Sequence, residues 1–318
     1  MDALTNILSH IRSAGALLGK NLMTPPWSIR FTDGASITLL TMLRGEAWVI
    51  PDDDAPVRLQ NRDLAVVNGS RSFLLTSDPH VSVEPFYVFA EEGTCTDAAG
   101  NLLADEEICL GVRTCGTQLE AEHALLTGSY TTTGRIAERL MSSLPRVLVV
   151  PHQQQRSSHL SLLEAEIVLE EAGQQAILDR LLDLVLIGTL RDWLALPEAS
   201  PPGWHRAATD PVVGAALTAI HNAPSQPWTV ETLADEAQVS RATLARRFSE
   251  VMEESPIAYL TGWRLSMAAD LLERSQDTVE SIARQVGYSS AYALSAAFTR
   301  EFDIRPTQHR TMTADAGC

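Results

Sequence analysis

Leu233-Ala234-Asp235-Glu236-Ala237-Gln238-Val239-Ser240 and Ile282-Ala283-Arg284-Gln285-Val286-Gly287-Tyr288-Ser289 are two copies of one pattern. Each runs on to a Leu and then a Phe, Leu244 and Phe248 in the first copy, Leu294 and Phe298 in the second. The pattern is an apolar helix, a tight turn, and a second helix opened by Ser. A long helix-forming stretch separates the copies. Two helix-turn-helix units about 50 residues apart can enter successive major grooves on one face of DNA.

In the first copy Thr229 is placed to cap a helix over 230–237, with Glu231 and Thr232 in its first turn. Gln238-Val239 forms the turn, and Ser240 caps a recognition helix running to about residue 250. Leu233, Val239, Leu244 and Phe248 fall at core spacing. That leaves Arg241, Ala242, Thr243, Arg246 and Arg247 to face DNA. Arg246 is the candidate for reading a base edge, since an Arg fork on guanine contributes about 1–3 kcal/mol of discrimination. Arg247 is placed for phosphate. In the second copy the helix spans 278–286, the turn is Gly287-Tyr288, and the recognition helix spans 290–302. Its DNA-facing set is Ser290, Ala291, Tyr292, Ser295 and Arg300, with Ala296 where the first copy has Arg246. This face is poor in donors. It is expected to read little sequence directly, and to add apolar contact to thymine methyls or hold the backbone.

Net charge argues the other way at first. The chain carries −16, and residues 228–310 hold nine arginines against twelve carboxylates. Long-range steering toward DNA should be weak, so binding must rest on a few placed Arg and on helix N-termini.

With 318 residues the chain is long enough for two domains and a sizeable core. No run of about 20 uncharged apolar residues occurs, so no membrane span is expected. The richest run, 177–190, carries Asp179, Arg180 and Asp183. Residues 1–18 lack a basic segment before an apolar core and do not read as a signal peptide. A cytoplasmic location is expected. Cys95, Cys109, Cys115 and Cys318 form no CxxC pair and no metal spacing. They read as reduced, partly buried thiols; redox sensing through Cys95, Cys109 or Cys115 is the alternative.

Ahead of the repeat the hydrophobic period changes twice. Residues 3–18 read as a short amphipathic helix. From about 27 to 120 the period is that of strands, with runs at 36–43, 46–50, 57–60, 63–68, 72–76, 81–90 and 107–117. Many short strands at this spacing imply a sandwich or barrel. Residues 121–150 read as a mixed connecting segment. Two helices follow, over 157–171 and 174–196, with Gly173 between them as the turn of an antiparallel hairpin. The second is apolar nearly all round, and a second subunit is one cover for it. Pro197, Pro201, Pro202 and Gly203 mark a linker.

At the quoted residues the chain resembles the AraC/XylS family of bacterial transcription regulators. The stretch "LADEAQVSRATLARRF" follows the family pattern, and "VESIARQVGYSSAYALSAAFTREFDIRP" carries its signature, including Tyr288, Phe298, Phe302 and Pro306. The family often has Gly where Gln238, Glu253 and Asp303 stand. It usually has Phe and Arg where Leu294 and Ala296 stand, and Tyr where His309 stands. The fold should survive, since such exchanges cost about 1 kcal/mol or less. The first half is similar to the cupin-type sensor domain of one subgroup, in "MLRGEAWVI", "VRLQNRDLAVVNGS" and "GVRTCG". There the common pattern has Gly-Asp for Arg62-Asp63, and a His where Ser72-Phe73 stands.

The resemblance implies a multidomain α+β chain: an N-terminal cupin-like β-barrel with a helical hairpin, then an all-α double helix-turn-helix. Expected boundaries are 1–196 for the sensor, with dimerisation helices at 157–196, a linker at 197–211, the DNA-binding domain at 212–310 and a tail at 311–318. Cupin metal centres need several converging His. Only His80 lies near, so no metal, no cofactor and no enzyme activity are expected. A barrel mouth is a common ligand site, and Trp27, Phe31, Trp48 and His80 are the candidate effector contacts, with Phe86 and Tyr87 also large groups of the region. The expected partners are a double-stranded promoter operator, a small-molecule effector and a second subunit, with room for RNA polymerase as a further partner and none for a membrane.

Overall fold

The computed structural model describes residues 17–90, 93–130, 134–199 and 201–315. Contacts divide them into two units. One holds 17–130 and 141–199; the other holds 134–140 and 201–315.

The first unit carries thirteen described strands: β1 Leu17–Met23, β2 Ser28–Phe31, β3 Ile37–Arg44, β4 Ala47–Pro51, β5 Val57–Leu59, β6 Leu64–Asn68, β7 Phe73–Thr76, β8 Val88–Phe89, β9 Cys95–Thr96, β10 Cys109–Gly111, β11 Thr114–Gly116, β12 His123–Tyr130 and β13 Val147–Val150. One sheet runs β10-β11-β1-β12-β3-β6-β13, the other β5-β4-β7-β2-β8-β9. Inner faces supply one apolar cluster that includes Met23, Trp27, Ile29, Phe31, Met42 and Leu75. Phe31 stacks on Phe73 across the β2–β7 pair at 4.6 Å. Each such side chain stabilises the fold by about 1.5–3 kcal/mol on burial.

Both sheets are open among the described residues. The edge strands β10, β13, β5 and β9 are four residues long or shorter. Closure needs staggered pairing right around the rim, and these edges are too short to supply it. The unit is therefore a two-sheet sandwich, not the closed barrel expected.

The strand runs between 36 and 76 form close to their expected places. Three other stretches differ. Residues 17 and 18, expected to end a helix, open β1; the rest of that expected helix lies outside the described residues. The run 81–90 is extended only at β8, and 107–117 begins with a short helix α1, Asp105–Ile108, before β10 and β11. The segment 121–150 is no mere connection: β12 pairs with β1 on one side and β3 on the other. β12 is buried on both faces, which removes the alternation that betrays a strand. Its Gly128 lets Leu182 approach: a Cβ there would lie 3.0 Å from Leu182 Cδ1.

The hairpin forms as α3, His159–Glu166, and α4, Gln174–Leu194. Gly173 between them adopts φ +82°, the left-handed conformation glycine tolerates. Leu160, Leu163 and Ile167 are buried. Ile177 and Leu184 of α4, also apolar, are not: they are 49% and 43% exposed.

The second unit is helical: α2 Arg135–Met141, then α5 Gly203–Thr209, α6 Pro211–Asn222, α7 Val230–Glu236, α8 Arg241–Met252, α9 Pro256–Arg274, α10 Val279–Gln285, α11 Ala291–Phe302 and α12 Pro306–Asp315. α5 occupies the second part of the expected linker, and α12 runs into the expected tail. α9 is the long stretch between the repeats and buries Tyr259, Trp263, Leu265 and Leu272. α2 docks on it through three contacts. The Arg135 N–H donates to Asp270 Oδ1 at 2.6 Å. Arg139 pairs with Glu254 at 2.8 Å and lies over the Tyr259 ring at 5.0 Å.

Candidate functional site

In the first repeat, Thr229 Oγ1 accepts the Thr232 N–H while the Thr232 hydroxyl accepts the Thr229 N–H, a reciprocal cap for α7. Ser240 Oγ accepts the Thr243 N–H and caps α8. Gln238 makes the turn at φ +55°. Leu233, Leu244 and Phe248 are buried; Val239, expected beside them, is only half-buried. The outer face of α8 presents Arg241, Ala242 and Arg246, with Thr243 half-buried beside its cap.

The arginines of α8 are not equivalent. Arg246 reaches along the surface to Glu250 at 2.7 Å, with both side chains more than half exposed. Such a surface pair contributes about 0–1 kcal/mol and can be exchanged for a guanine edge. Arg247 donates from Nε to Asp210 Oδ2 at 2.8 Å. Asp210 is 8% exposed and also accepts the N–H groups of Val212 and Val213 at the start of α6. Burial works against its charge, but the Val213 and Val212 amides and the Arg247 guanidinium outweigh it, holding the carboxyl below the usual carboxylate range. Arg247, expected to reach phosphate, thus links α8 to the start of α6 while its side chain stays 47% exposed.

The second repeat has the same scaffold. Thr278 caps α10 and Ser290 caps α11 through the Ser281 and Ala293 N–H groups. Glu280 of α10 accepts the Ala291 N–H at 2.8 Å and pairs with Arg284 at 3.1 Å. The Ala291 amide first, and then Arg284, hold its carboxyl below the usual range. A carboxylate at the N-terminus of α11 also suits the helix dipole. Tyr292 stands 85% exposed. With Ser295, Ala296, Thr299 and Arg300 it lines a groove closed on its other side by Arg305, Pro306 and Thr307 at the start of α12. Arg305 lies outside the set expected from the sequence to face DNA. The available signal was a basic residue just before Pro306, which opens a helix.

A different kind of site lies in the β unit. A cavity of about 180 Å³ opens between β1, β12, β8–β9 and the α1–β11 segment. Asn21, Tyr87, Thr127 and Ser129 line it and are all buried. The Tyr87 hydroxyl donates to Asn21 Oδ1, and Asn21 Nδ2 donates to Thr127 Oγ1 at 3.3 Å. Burial pushes the Tyr87 phenol well up, so it stays protonated and a donor. Leu18, Phe89 and Ile108 add apolar wall. On the outer side stand Arg113, held by Gln174 Oε1 at 2.7 Å, and the thiols Cys95, Cys109 and Cys115. Cys109 Sγ and Cys115 Sγ are 3.7 Å apart.

The expected effector contacts are not the ones that line this cavity. Trp27 and Phe31 fill the core at 2% and 3% exposure. Trp27 Nε1–H finds its acceptor in His123 Nδ1 at 3.2 Å, so it needs no ligand. Trp48 is half-buried on β4, and His80 sits exposed in a turn held by Asp78. Of the large groups named from the sequence, Tyr87 lines the cavity; the other polar wall residues, Asn21, Thr127 and Ser129, are of middling size and are brought together by β1 and β12. Among the described residues no group of three His, Cys, Asp or Glu lies close enough to hold a metal, and no helix is long and apolar enough to cross a membrane.

Comparison with known proteins follows the same division. The sequence family described as Cupin matches residues 2–195, and a helix-turn-helix domain family matches 233–312. Over 318 residues, 98% of both chains, the sequence is 31% identical to a protein described as an AraC-like transcription regulator from Streptomyces lividans. It is 36% identical over 177 residues to the HTH-type transcriptional regulator AlkR of Acinetobacter baylyi, covering 54% of this chain and 58% of that one. Among solved structures, the DNA-binding domain of the global transcriptional factor AdpA in complex with a target DNA is 31% identical. That match covers 34% of this chain and 96% of the other, with a TM-score of 0.32.

Proposed function

The chain belongs to the AraC-like transcription regulators, DNA-binding proteins that here carry a cupin domain, and on that premise we propose that a small effector held in the N-terminal cavity sets how tightly the C-terminal unit holds a promoter operator. The observation that carries the effector reading is the buried quartet Asn21, Tyr87, Thr127 and Ser129 facing an apolar wall. Placed polar groups in a mostly apolar cavity are how small-molecule sites fix a ligand's orientation. All four are uncharged side chains able to hydrogen-bond a polar ligand, with Arg113 as the charged group of the lining. The effector would act by its differential affinity for two arrangements of the protein, typically about 1–3 kcal/mol of coupling.

On the DNA side, Arg246 with Arg241, Ala242 and Thr243 forms the base-reading face. Arg300, Arg305 and Tyr292, with Ser290, Ala291 and Ser295, form a second, mostly sequence-tolerant contact. Arg247 positions α8. We take 1–196 as the sensor and 212–310 as the DNA-binding domain, with α2 an outlying element grouped with the latter. The exposed apolar side chains Leu162, Val168, Leu169, Ile177 and Leu184 on the hairpin support a homodimer through that surface. The activity is regulation and not catalysis, exercised in the compartment that holds the chromosome.

Thr127→Leu tests the effector reading, because the added bulk fills the cavity. The variant is expected to keep the parent's affinity for the DNA upstream of its own gene, and to lose the promoter's response to its inducing condition in a reporter strain. A full response from a folded variant would place the effector elsewhere.

A further inference from the structure

The two thiols on the outer wall of the cavity are arranged for a reaction with each other. Cys109 and Cys115 are direct cross-strand partners in the antiparallel β10–β11 pair. Opposed residues in such a pair have Cα atoms about 4.5–5.5 Å apart, inside the span of roughly 4.4–6.8 Å that a disulfide bridges. The two Sγ atoms already touch at 3.7 Å, against about 2.05 Å in the bond. Little resists the remaining approach. β10 is three residues long and lies at the edge of its sheet, and the β10–β11 register slips between Cys109 and Gly111. Cys109 is exposed, so an oxidant reaches it; Cys115 is half-buried in the cavity wall.

We propose that Cys109 and Cys115 are a peroxide-oxidisable thiol pair, a modification site set into the wall of the cavity. The Cys109 thiolate attacks a peroxide oxygen, the O–O bond breaks, and Cys109 becomes a sulfenic acid as hydroxide leaves. The Cys115 sulfur then attacks that sulfur, the S–S bond forms, and the sulfenic oxygen departs as water. Two thiols give up two electrons and two protons, and one hydrogen peroxide becomes two waters. The bond would pin the edge strand that bounds the cavity beside Ile108. Only this last point rests on the effector reading; the thiol chemistry stands apart from it.

The test needs neither DNA nor effector, so its failure is distinct from a failure of that reading. The full-length reduced protein is treated with hydrogen peroxide, its remaining thiols are blocked, and it is digested with trypsin without reductant. Cleavage after Arg113 puts Cys115 on a peptide separate from Cys109, while Cys95 stays on the same peptide as Cys109. The expected product is a linked pair of peptides, 72–113 with 114–135, released by dithiothreitol. It should be lost in Cys109→Ser and in Cys115→Ser, and kept in Cys95→Ser and Cys318→Ser. Loss of the link in Cys95→Ser would overturn the proposal. So would a link made only through Cys318, or a Cys109 that passes to sulfinic or sulfonic acid with no link formed.

Discussion

Four residues that stand where the resemblance implies Gly each hold a left-handed backbone. Arg62, Gln238, Glu253 and Asp303 have φ of +63°, +55°, +62° and +58°. Gln238 makes the first helix-turn-helix turn, while Glu253 and Asp303 terminate α8 and α11. Replacing Gln238, Glu253 or Asp303 by Gly is expected to stabilise the C-terminal unit by up to about 1 kcal/mol each, read as a rise in Tm. Gly287 is the converse case. It sits at φ +88°, and a Cβ there would lie 2.8 Å from the Ser225 backbone. Gly287→Ala is expected to cost about 1–3 kcal/mol, seen as a lower urea midpoint with an unchanged slope. At the DNA face, Arg246→Ala is expected to weaken specific binding by roughly 1–3 kcal/mol and relax one base position. Ala296→Gly should do much less. Equal losses in a competition assay over a randomised operator would remove the asymmetry between the two repeats.

At the scale of elements, the link between α6 and α8 is electrostatic and therefore depends on pH. The folded pKa of Asp210 lies below its unfolded value. Its contribution is therefore complete above the ordinary carboxylate pKa, and is lost as pH falls through the depressed value. Asp210→Asn should accordingly be less stable than the parent at neutral pH, with the gap narrowing in acid; thermal melts across that range would show it. A gap that stayed constant would mean that the amide alone explains the loss. The hairpin gives a second expectation. Ile177→Asp with Leu184→Glu charges an exposed face of α4 and should convert a dimer to monomers without unfolding, as read by light scattering and circular dichroism. The elements themselves were unevenly legible. α7 and α8 announced themselves because capping Thr229 and Ser240 precede helical apolar periods, and those two caps form as read; α10 and α11 were legible as the second copy of the repeat, and their caps, Thr278 and Ser290, emerge in the structure. β12 was not legible, because a strand covered on both faces shows no alternation, nor was β13, because Val147–Val150 are four apolar residues in a row whatever face they take. The cavity was hidden for a related reason: Asn21, Thr127 and Ser129 lie on strands some hundred residues apart in sequence, paired only after folding. A sandwich also could not be told from a barrel, since strand spacing is the same until the edges are seen to stay unpaired.

For the whole molecule, acidity and DNA binding have to be reconciled. A net charge of −16 means that affinity must come from local geometry, so the salt dependence should be shallow. Each phosphate contact removed should lower the slope of log K against log salt by about 0.9. Arg300→Ala and Arg305→Ala are expected to do this with little change in sequence preference, whereas Arg246→Ala should change the preference. The most direct measurement is equilibrium binding of the reduced full-length protein to the DNA upstream of its own gene, against a scrambled duplex, at about 150 mM salt, beside Arg246→Ala. The parent is expected to prefer the native sequence, and the variant to lose most of that preference while still binding both duplexes. Equal binding of the two duplexes by the parent, with and without inducing-cell extract, or an unaltered preference in the variant, would contradict it.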